Sequence, residues 1–386
     1  MLENQVGNVS LMQKLNRLKV LNIIRRNGKI SRGEIAALSG LSISSVTNLV
    51  NYLMSRELVI DAEKENVTRV GRKAALLDFN HTAYKFVCTA VSENEVVTAL
   101  CTMNGDIIEK NKVSVTDSSC IVQIVGSELE SIILSHPDER IIAAGVAVSA
   151  MVTDGGNTVF SSTFGRSIHG FSSRLRERLG IPVFIENLSI INALYHVRES
   201  FGDTRNLLFI DFAGGIGAAQ FFRGEINRAF AGEIGHTTVD LKSDRQCVCG
   251  NYGCLELLCS PGYTAERSGI KNSENPVVDI INSFEKGEAD TVCAVKECME
   301  YLGIAAANLI DTLGPDKIIL NEAQYFSCEK IYGIFLENVK KRAYPELMEN
   351  TDFTLTSTTV TQQINAMALH LCESVFDISF EGNIVE

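Results

Sequence analysis

The sequence predicts an α/β protein in two parts: a small, mainly helical head over residues 1–80 and a larger body of alternating strands and helices over residues 81–386. Two kinds of observation carry this expectation. The first is periodicity. Apolar residues recur at helical spacing near the N-terminus, whereas from about residue 84 short β-branched runs alternate with helical patterns. The second is charge. Residues 1–73 hold 12 Lys/Arg and 6 Asp/Glu, a balance of 12 − 6 = +6, while the remainder holds 23 basic and 41 acidic residues, 23 − 41 = −18. A basic head on an acidic body suits a polyanionic partner for the head alone.

In the head, Leu11, Leu15, Leu18, Leu21 and Ile24 fall on one helical face, so a helix is expected over about 11–26, ended by Asn27-Gly28. Ser31 and Glu34 have the spacing of a capping box and start a short helix over Arg32–Leu38. Ser39-Gly40-Leu41 reads as a tight turn, and Ser42 caps a third helix running to about Met54. Val46, Val50 and Leu53 would face inward, leaving Ser44, Ser45, Thr47, Asn48 and Asn51 outward.

Two short helices about a glycine turn fit a helix-turn-helix, whose second helix enters the major groove of double-stranded DNA. The outward face is small and polar, so Asn48 or Asn51 can pair with adenine. Phosphate contacts would come from Arg25, Arg26, Lys29, Arg32, Arg69, Arg72 and Lys73. Leu58–Ile60 and Ala75–Leu77 read as the strands of a wing, with Val70-Gly71-Arg72-Lys73 near its tip. A three-helix protein-binding module is the alternative; the basic excess and the wing-like continuation favour the winged helix-turn-helix.

In the body, Phe86–Val91 and Val96–Thr102 read as a hairpin, Ile121–Ser135 as a helix and Ile141–Val148 as a buried strand. Helix Phe171–Leu179, strand Val183–Glu186 and helix Ser189–Phe201 follow. Leu207–Phe212 and Ala218–Phe222 flank a Gly-rich turn, and a long helix Val292–Leu313 precedes Pro315 and strand Lys317–Leu320. Two lobes, each beginning on a hairpin, are expected.

The 386 residues suffice for two or three domains with full cores. No stretch approaches the roughly 20 apolar residues of a membrane span, and the N-terminus has neither a basic start nor an apolar signal core. Eleven cysteines without such a signal argue for a reducing compartment, so a cytoplasmic protein is expected. Most of them read as core filler.

Four donors stand apart. His236 is followed by Cys247, Cys249 and Cys254, with Gly250 and Gly253 between the thiols. Three thiols and an imidazole are the donor set of a closed tetrahedral structural zinc site, and the glycines allow the sharp turns that bring the sulfurs together. Three unrelated buried cysteines would explain neither the spacing nor the glycines.

Several of these segments are shared with a known group. "SRGEIAALSGLSISSVTNLVNYLMSRELV" followed by "GRKAALLDFN", then "LGIPVFIEN", and "GEIGHTTVD" with "CVCGNYGCLE" closely resemble the ROK family, which unites bacterial transcriptional repressors with sugar kinases. The resemblance spans nearly the whole chain, and the thiol segment is its most specific part. It implies an actin-like (hexokinase-like) body of two lobes around a cleft, and its head matches the regulator branch.

The kinase members need a Gly-rich phosphate hairpin, a second Gly-rich turn, a Gly-Gly pair near the adenosine and an Asp after Glu-Asn as general base. Here the first loop falls on Ala90–Glu95, without glycines and with Glu93 and Glu95 in it. The second survives in part as Gly215 and Gly217, the Gly-Gly pair falls on Asn321-Glu322, and Leu188 stands where the catalytic Asp would be. The resemblance therefore implies no phosphoryl transfer and no catalytic residue.

On the sugar side, the resemblance places Asn187, Glu233, His236 and Glu256 at sugar hydroxyls, with His236 binding zinc through its other ring nitrogen. The family's Gly-x-Pro-Gly loop reads Val148-Ser149-Ala150-Met151. The leading expectation is a sugar-responsive regulator, a repressor of carbohydrate (xylose) metabolism genes. It would bind its operator as a homodimer or dimer of dimers, answer to a carbohydrate or sugar phosphate, and have no membrane partner. The alternatives are a sugar kinase with an appended head, and a regulator whose body takes a protein partner instead of a sugar.

Overall fold

A computed structural model describes residues 9–62, 75–92, 94–115, 117–161, 166–200, 205–212, 215–271, 273–322, 324–377 and 379–380. The head comprises α1 (Val9–Asn27), β1 (Ile30–Ser31), α2 (Arg32–Ser39), α3 (Ile43–Ser55), β2 (Val59–Asp61) and β3 (Leu76–Phe79). The capping box forms as the sequence demands: the Ser31 hydroxyl accepts from the Glu34 amide, and the Glu34 carboxylate accepts from the Ser31 amide at 2.9 Å. Gly40 closes α2 at φ 70°, a left-handed conformation that costs glycine little. Ser42 accepts from the Ser45 amide at 3.1 Å to start α3, and Val46, Val50 and Leu53 are fully buried.

The wing strands lie one residue further on than expected at their starts, and β1 adds a third strand in the order β1-β3-β2. The wing tip, Val70–Lys73, and with it the DNA-contact candidates Arg69, Arg72 and Lys73, lies outside the described residues.

The first lobe contains β4 (Lys85–Val91), β5 (Glu95–Thr102), β6 (Ile107–Ser114), α4 (Ile121–Ser135) and β7 (Ile141–Val148). A three-stranded meander follows, β8 (Met151–Thr153), β9 (Thr158–Ser161) and β10 (Arg166–His169), then α5 (Phe171–Leu179), β11 (Val183–Asn187) and α6 (Leu188–Ser200). The main sheet runs β11-β7-β4-β5-β6. Strand β4 is buried along its whole length, which explains why apolar residues dominate both of its faces.

The second lobe opens with β12 (Asn206–Asp211), β13 (Gly217–Phe222) and β14 (Glu225–Ile226). It continues through α7 (Leu255–Cys259), α8 (Pro261–Arg267), α9 (Pro276–Lys286) and α10 (Ala289–Leu313) to β15 (Lys317–Asn321). Helices α11 (Glu329–Arg342) and α12 (Pro345–Glu349), strand β16 (Asp352–Thr356) and helix α13 (Val360–Val375) complete it. Its sheet runs β14-β13-β12-β15-β16. Each sheet thus has an antiparallel meander extended on one side by two parallel strands, the pattern expected of two hairpin-initiated lobes.

Helix α13 leaves the second lobe and packs on the first, against β4, β7 and α6. Gly145 in β7 admits it; a Cβ there would stand 2.5 Å from Met367 Cε. The far end of α13 enters the hydrophobic core of the head. Phe376 meets Phe79 edge-on at 5.8 Å, and the Asn22 side chain donates to the Phe376 carbonyl at 3.2 Å.

Arg25 reaches the same helix: its guanidinium makes two hydrogen bonds to the Glu373 carboxylate, at 2.7 and 2.5 Å, with its side chain 10% exposed. Arg25 was expected at DNA phosphate; it is instead spent on this joint, because a planar guanidinium matches a carboxylate two-fold. The cores of head and first lobe form one continuous cluster.

Candidate metal centre and inter-lobe cleft

The four donors converge. His236 ends a short 3₁₀ turn, Ile234–His236, while the thiols come from the loop before α7. That loop is folded by backbone bonds, Cys247 N to Asn251 O at 2.7 Å and Gly250 N to Cys247 O at 2.8 Å. Gly250 and Gly253 take φ 91° and 67°, the left-handed turns foreseen for them. One ligand atom from each of His236, Cys247, Cys249 and Cys254 lies within 4.8 Å of every other.

Cys247 Sγ to His236 Nδ1 is 3.6 Å, and Cys249 Sγ to Cys254 Sγ is 3.7 Å. A tetrahedral zinc with bonds of about 2.3 Å to sulfur and 2.0–2.1 Å to nitrogen has ligand edges of about 3.8 and 3.5 Å, so the cluster has the right size for that ion. Burial pushes the Cys254 thiol up to about 12, with its cysteine neighbours adding to the rise. Thiols so crowded ionise when a cation sits among them, which is the chemistry of a metal site.

Cys254 is also the residue from which α7 starts, and Glu256 follows in the first turn of that helix. The other ring nitrogen of His236, Nε2, lies 4.0 Å from the Glu233 carboxylate. The donor cluster therefore ties together the two chain segments that carry His236, Glu233 and Glu256. Burial raises the pKa of Glu233; His236 opposes the shift and Glu256 adds to it.

These side chains line one cleft with Asn187, Ser149, Ala150, Met151 and Phe160. All four sugar-contact candidates, Asn187, Glu233, His236 and Glu256, are brought together there. Asn187 is already engaged: its amide donates to the Ala150 carbonyl at 2.8 Å, and its oxygen accepts from the Ser189 amide at 2.7 Å, capping α6. Behind it, Glu186 accepts from the Asn187 amide at 2.9 Å and from Arg228 of the second lobe at 2.6 Å, while His370 of α13 lies 3.6 Å away. Sequence reasoning missed this bridge, because its three residues lie far apart in the chain. The free space in the cleft is about 40 Å³, room for little more than one water.

Several positions matched to the kinases take unexpected surroundings. Leu188 is buried in the core shared with the head, and the cleft is lined by its neighbours Asn187 and Ser189 instead. Glu256 accepts from the Ile216 amide at 2.9 Å, and a Cβ on Gly215 would stand 2.7 Å from the same carboxylate oxygen. Glu322 keeps a left-handed backbone, φ 53°, the conformation of a glycine. Glu93 lies outside the described residues, and the Glu95 carboxylate pairs with Lys112 on the neighbouring strand, which offsets its charge.

On the head, Ser44, Ser45, Asn48 and Asn51 of α3 are exposed and Thr47 is half-buried. The Ser44 and Ser45 hydroxyls lie 2.9 and 2.8 Å from the capping Ser42, and Thr47 donates to the Ile43 carbonyl, which leaves Asn48 and Asn51 as the long polar side chains of the face. Arg32 lies against α3, with its guanidinium 3.9 Å from the Met54 sulfur. Ile43, 63% exposed at the start of α3, was not singled out; an apolar residue directly after a cap, on the outward face, is the signal that would have found it, as a partner for a thymine methyl.

The sequence matches the ROK family over residues 87–364 and a winged helix-turn-helix DNA-binding family over residues 14–60. A xylose repressor of Bacillus spizizenii is 27% identical over 357 residues, covering 89% of this chain and 91% of its own. A ROK family transcriptional regulator described as a homologue of the Escherichia coli MLC protein superposes with TM-score 0.77 at 20% identity, over 97% of this chain and 99% of its own. A ROK family glucokinase of Streptomyces griseus, solved with glucose and AMPPNP, superposes with TM-score 0.58 at 16% identity over 74% of this chain and 98% of its own.

Proposed function

The chain belongs to the ROK family, and from that premise we propose that it is a sugar-responsive repressor of carbohydrate-utilisation genes, with residues 1–80 as the DNA-binding unit and residues 81–386 as the sensor. The similarity to a xylose repressor makes D-xylose the first effector to test. Asn48 and Asn51 read base edges, Ser44, Ser45 and Thr47 let the helix approach closely, and Arg32, Arg69, Arg72 and Lys73 meet phosphates. One short helix reads few base pairs, so two copies act on a two-fold operator, as a homodimer or a dimer of dimers. These roles suit a cytoplasmic protein.

The ion at His236, Cys247, Cys249 and Cys254 is zinc, in a structural role. It holds the wall of the cleft, where Asn187, Glu233, His236 and Glu256 pair with the hydroxyls of the sugar. The body performs no phosphoryl transfer. The general-base position is an alkane at Leu188, and the amide of Ile216 in the second phosphate turn is taken by Glu256.

The observation that carries the reading is the course of α13. It begins at Val360, in the wall of a second-lobe cavity that shares Gly215, Ile216 and Glu256 with the cleft, and its end packs into the core of the head, at Phe376. A cleft of about 40 Å³ cannot admit a sugar ring unless the walls move, and α13 passes such a movement to the head. For the sugar to release the operator it must bind the moved state more tightly.

The test is an operator titration with DNA from upstream of the protein's own reading frame. Retention without sugar and release with D-xylose or another sugar are expected, and Asn48→Ala should cost about 1–3 kcal/mol of operator discrimination. No binding to that DNA, with or without sugars, would refute the reading.

A further inference from the structure

Beside the narrow cleft lies a second, far larger cavity of about 780 Å³, within the range of small-molecule sites. The two spaces share Gly215, Ile216 and Glu256 in their walls. The lining is largely apolar and aromatic, with Phe212, Val277, Leu302, Tyr325, Phe326 and Val360. Among the described residues its lining holds no Lys, Arg or His, and its carboxylates are Glu256 and Glu322.

Both carboxylates are fixed. Glu256 accepts from the Ile216 amide, and Glu322 accepts from the Thr358 amide at 2.7 Å. A phosphate-bearing ligand would meet negative charge with no cation to offset it. An uncharged ring would bury apolar surface at little cost.

We infer that this cavity holds the uncharged, apolar aglycone of a glycoside whose sugar ring sits at Glu233, His236 and Glu256. The inference rests on the sugar-sensing reading above and adds a ligand class to it: an aryl glycoside, in preference to a free sugar, a sugar phosphate or a nucleotide. Burying one aromatic ring gives an affinity gain of about 10-fold or more.

The experiment is calorimetric titration of the full-length protein with methyl and 4-nitrophenyl β-D-xylosides, the matching pair of β-D-glucosides, and ATP. The aryl glycoside of one sugar should bind at least about 10-fold more tightly than its methyl counterpart, and ATP should give no binding. Gly262→Phe is the control. Gly262 lines the cavity and a Cβ there meets nothing within 4 Å, so the new ring enters the cavity without disturbing the fold. It should abolish the aryl preference and leave the methyl glycoside unaffected. Equal affinity for methyl and aryl glycosides, binding of ATP, or an aryl preference that survives Gly262→Phe would overturn the inference while leaving sugar sensing intact. If neither the glycosides nor the free sugars bind, the sugar-sensing reading itself falls.

Discussion

The two lobes are built on the same five-strand pattern and have been put to different uses. In the first, the sheet β11-β7-β4-β5-β6 is covered by α13, and its core runs on without interruption into the head. In the second, one face of the sheet β14-β13-β12-β15-β16 has a core of its own while the other packs on α6, and the donor loop and four helices are inserted between its third and fourth strands in chain order. A strand order that buries a sheet on both faces tolerates insertions at its connections. One lobe therefore became a platform bonded to the head, and the other a wall shaped by a metal-binding loop. The difference shows where each lobe should be vulnerable: the second to loss of an ion, the first to loss of packing.

The largest effect should come from Cys249→Ser. Opening the four-donor cluster should release zinc and cost about 4 kcal/mol or more, because structural metal binding is folding energy. Calorimetry with metal analysis should show an early transition for the second lobe while the head and first lobe unfold at their usual temperature. Full metal content and unchanged melting would erase the contrast between the lobes.

Next is Phe376→Ala. This ring is 1% exposed in the core that head and body share, and its removal should cost about 3 kcal/mol. Hydrogen exchange should rise in α1 and β3, with zinc content unaffected. If exchange instead rose in the donor loop, the two cores would not be independent.

The smallest is Ser31→Ala, which breaks the capping box of α2 for about 1 kcal/mol. Chemical denaturation should register a loss confined to the head. The same loss of stability with unchanged hydrogen exchange in α2 would show that the effect does not belong to the cap.

Local signals were legible before any fold was known. The Ser31–Glu34 spacing, Gly40 and Ser42 give the helices of the head, since caps and left-handed turns depend on residues within four positions. The donor set was legible for a similar reason: three of its members lie within eight residues, and their glycines must turn the backbone between them. The face of α3 followed from periodicity, and Ile43 escaped because it breaks the polar pattern of that face.

What the sequence by itself determined was the class of fold, the helices of the head, many of the body's strands and helices though not α13, and the donor identities, all of which short-range chemistry sets. The tertiary structure decided the rest. Arg25 belongs to Glu373, 348 residues away, and no local signal distinguishes it from the neighbouring Arg26. Glu186, Arg228 and His370 meet only because β11, the segment after β14, and α13 converge at one point between the lobes. The two spaces beside Glu256, one of about 40 Å³ between the lobes and one of about 780 Å³ within the second, depend on which distant segments are packed around that carboxylate. Such pairings are global solutions to packing. They form only once the connections have been closed and each buried polar group has found its partner.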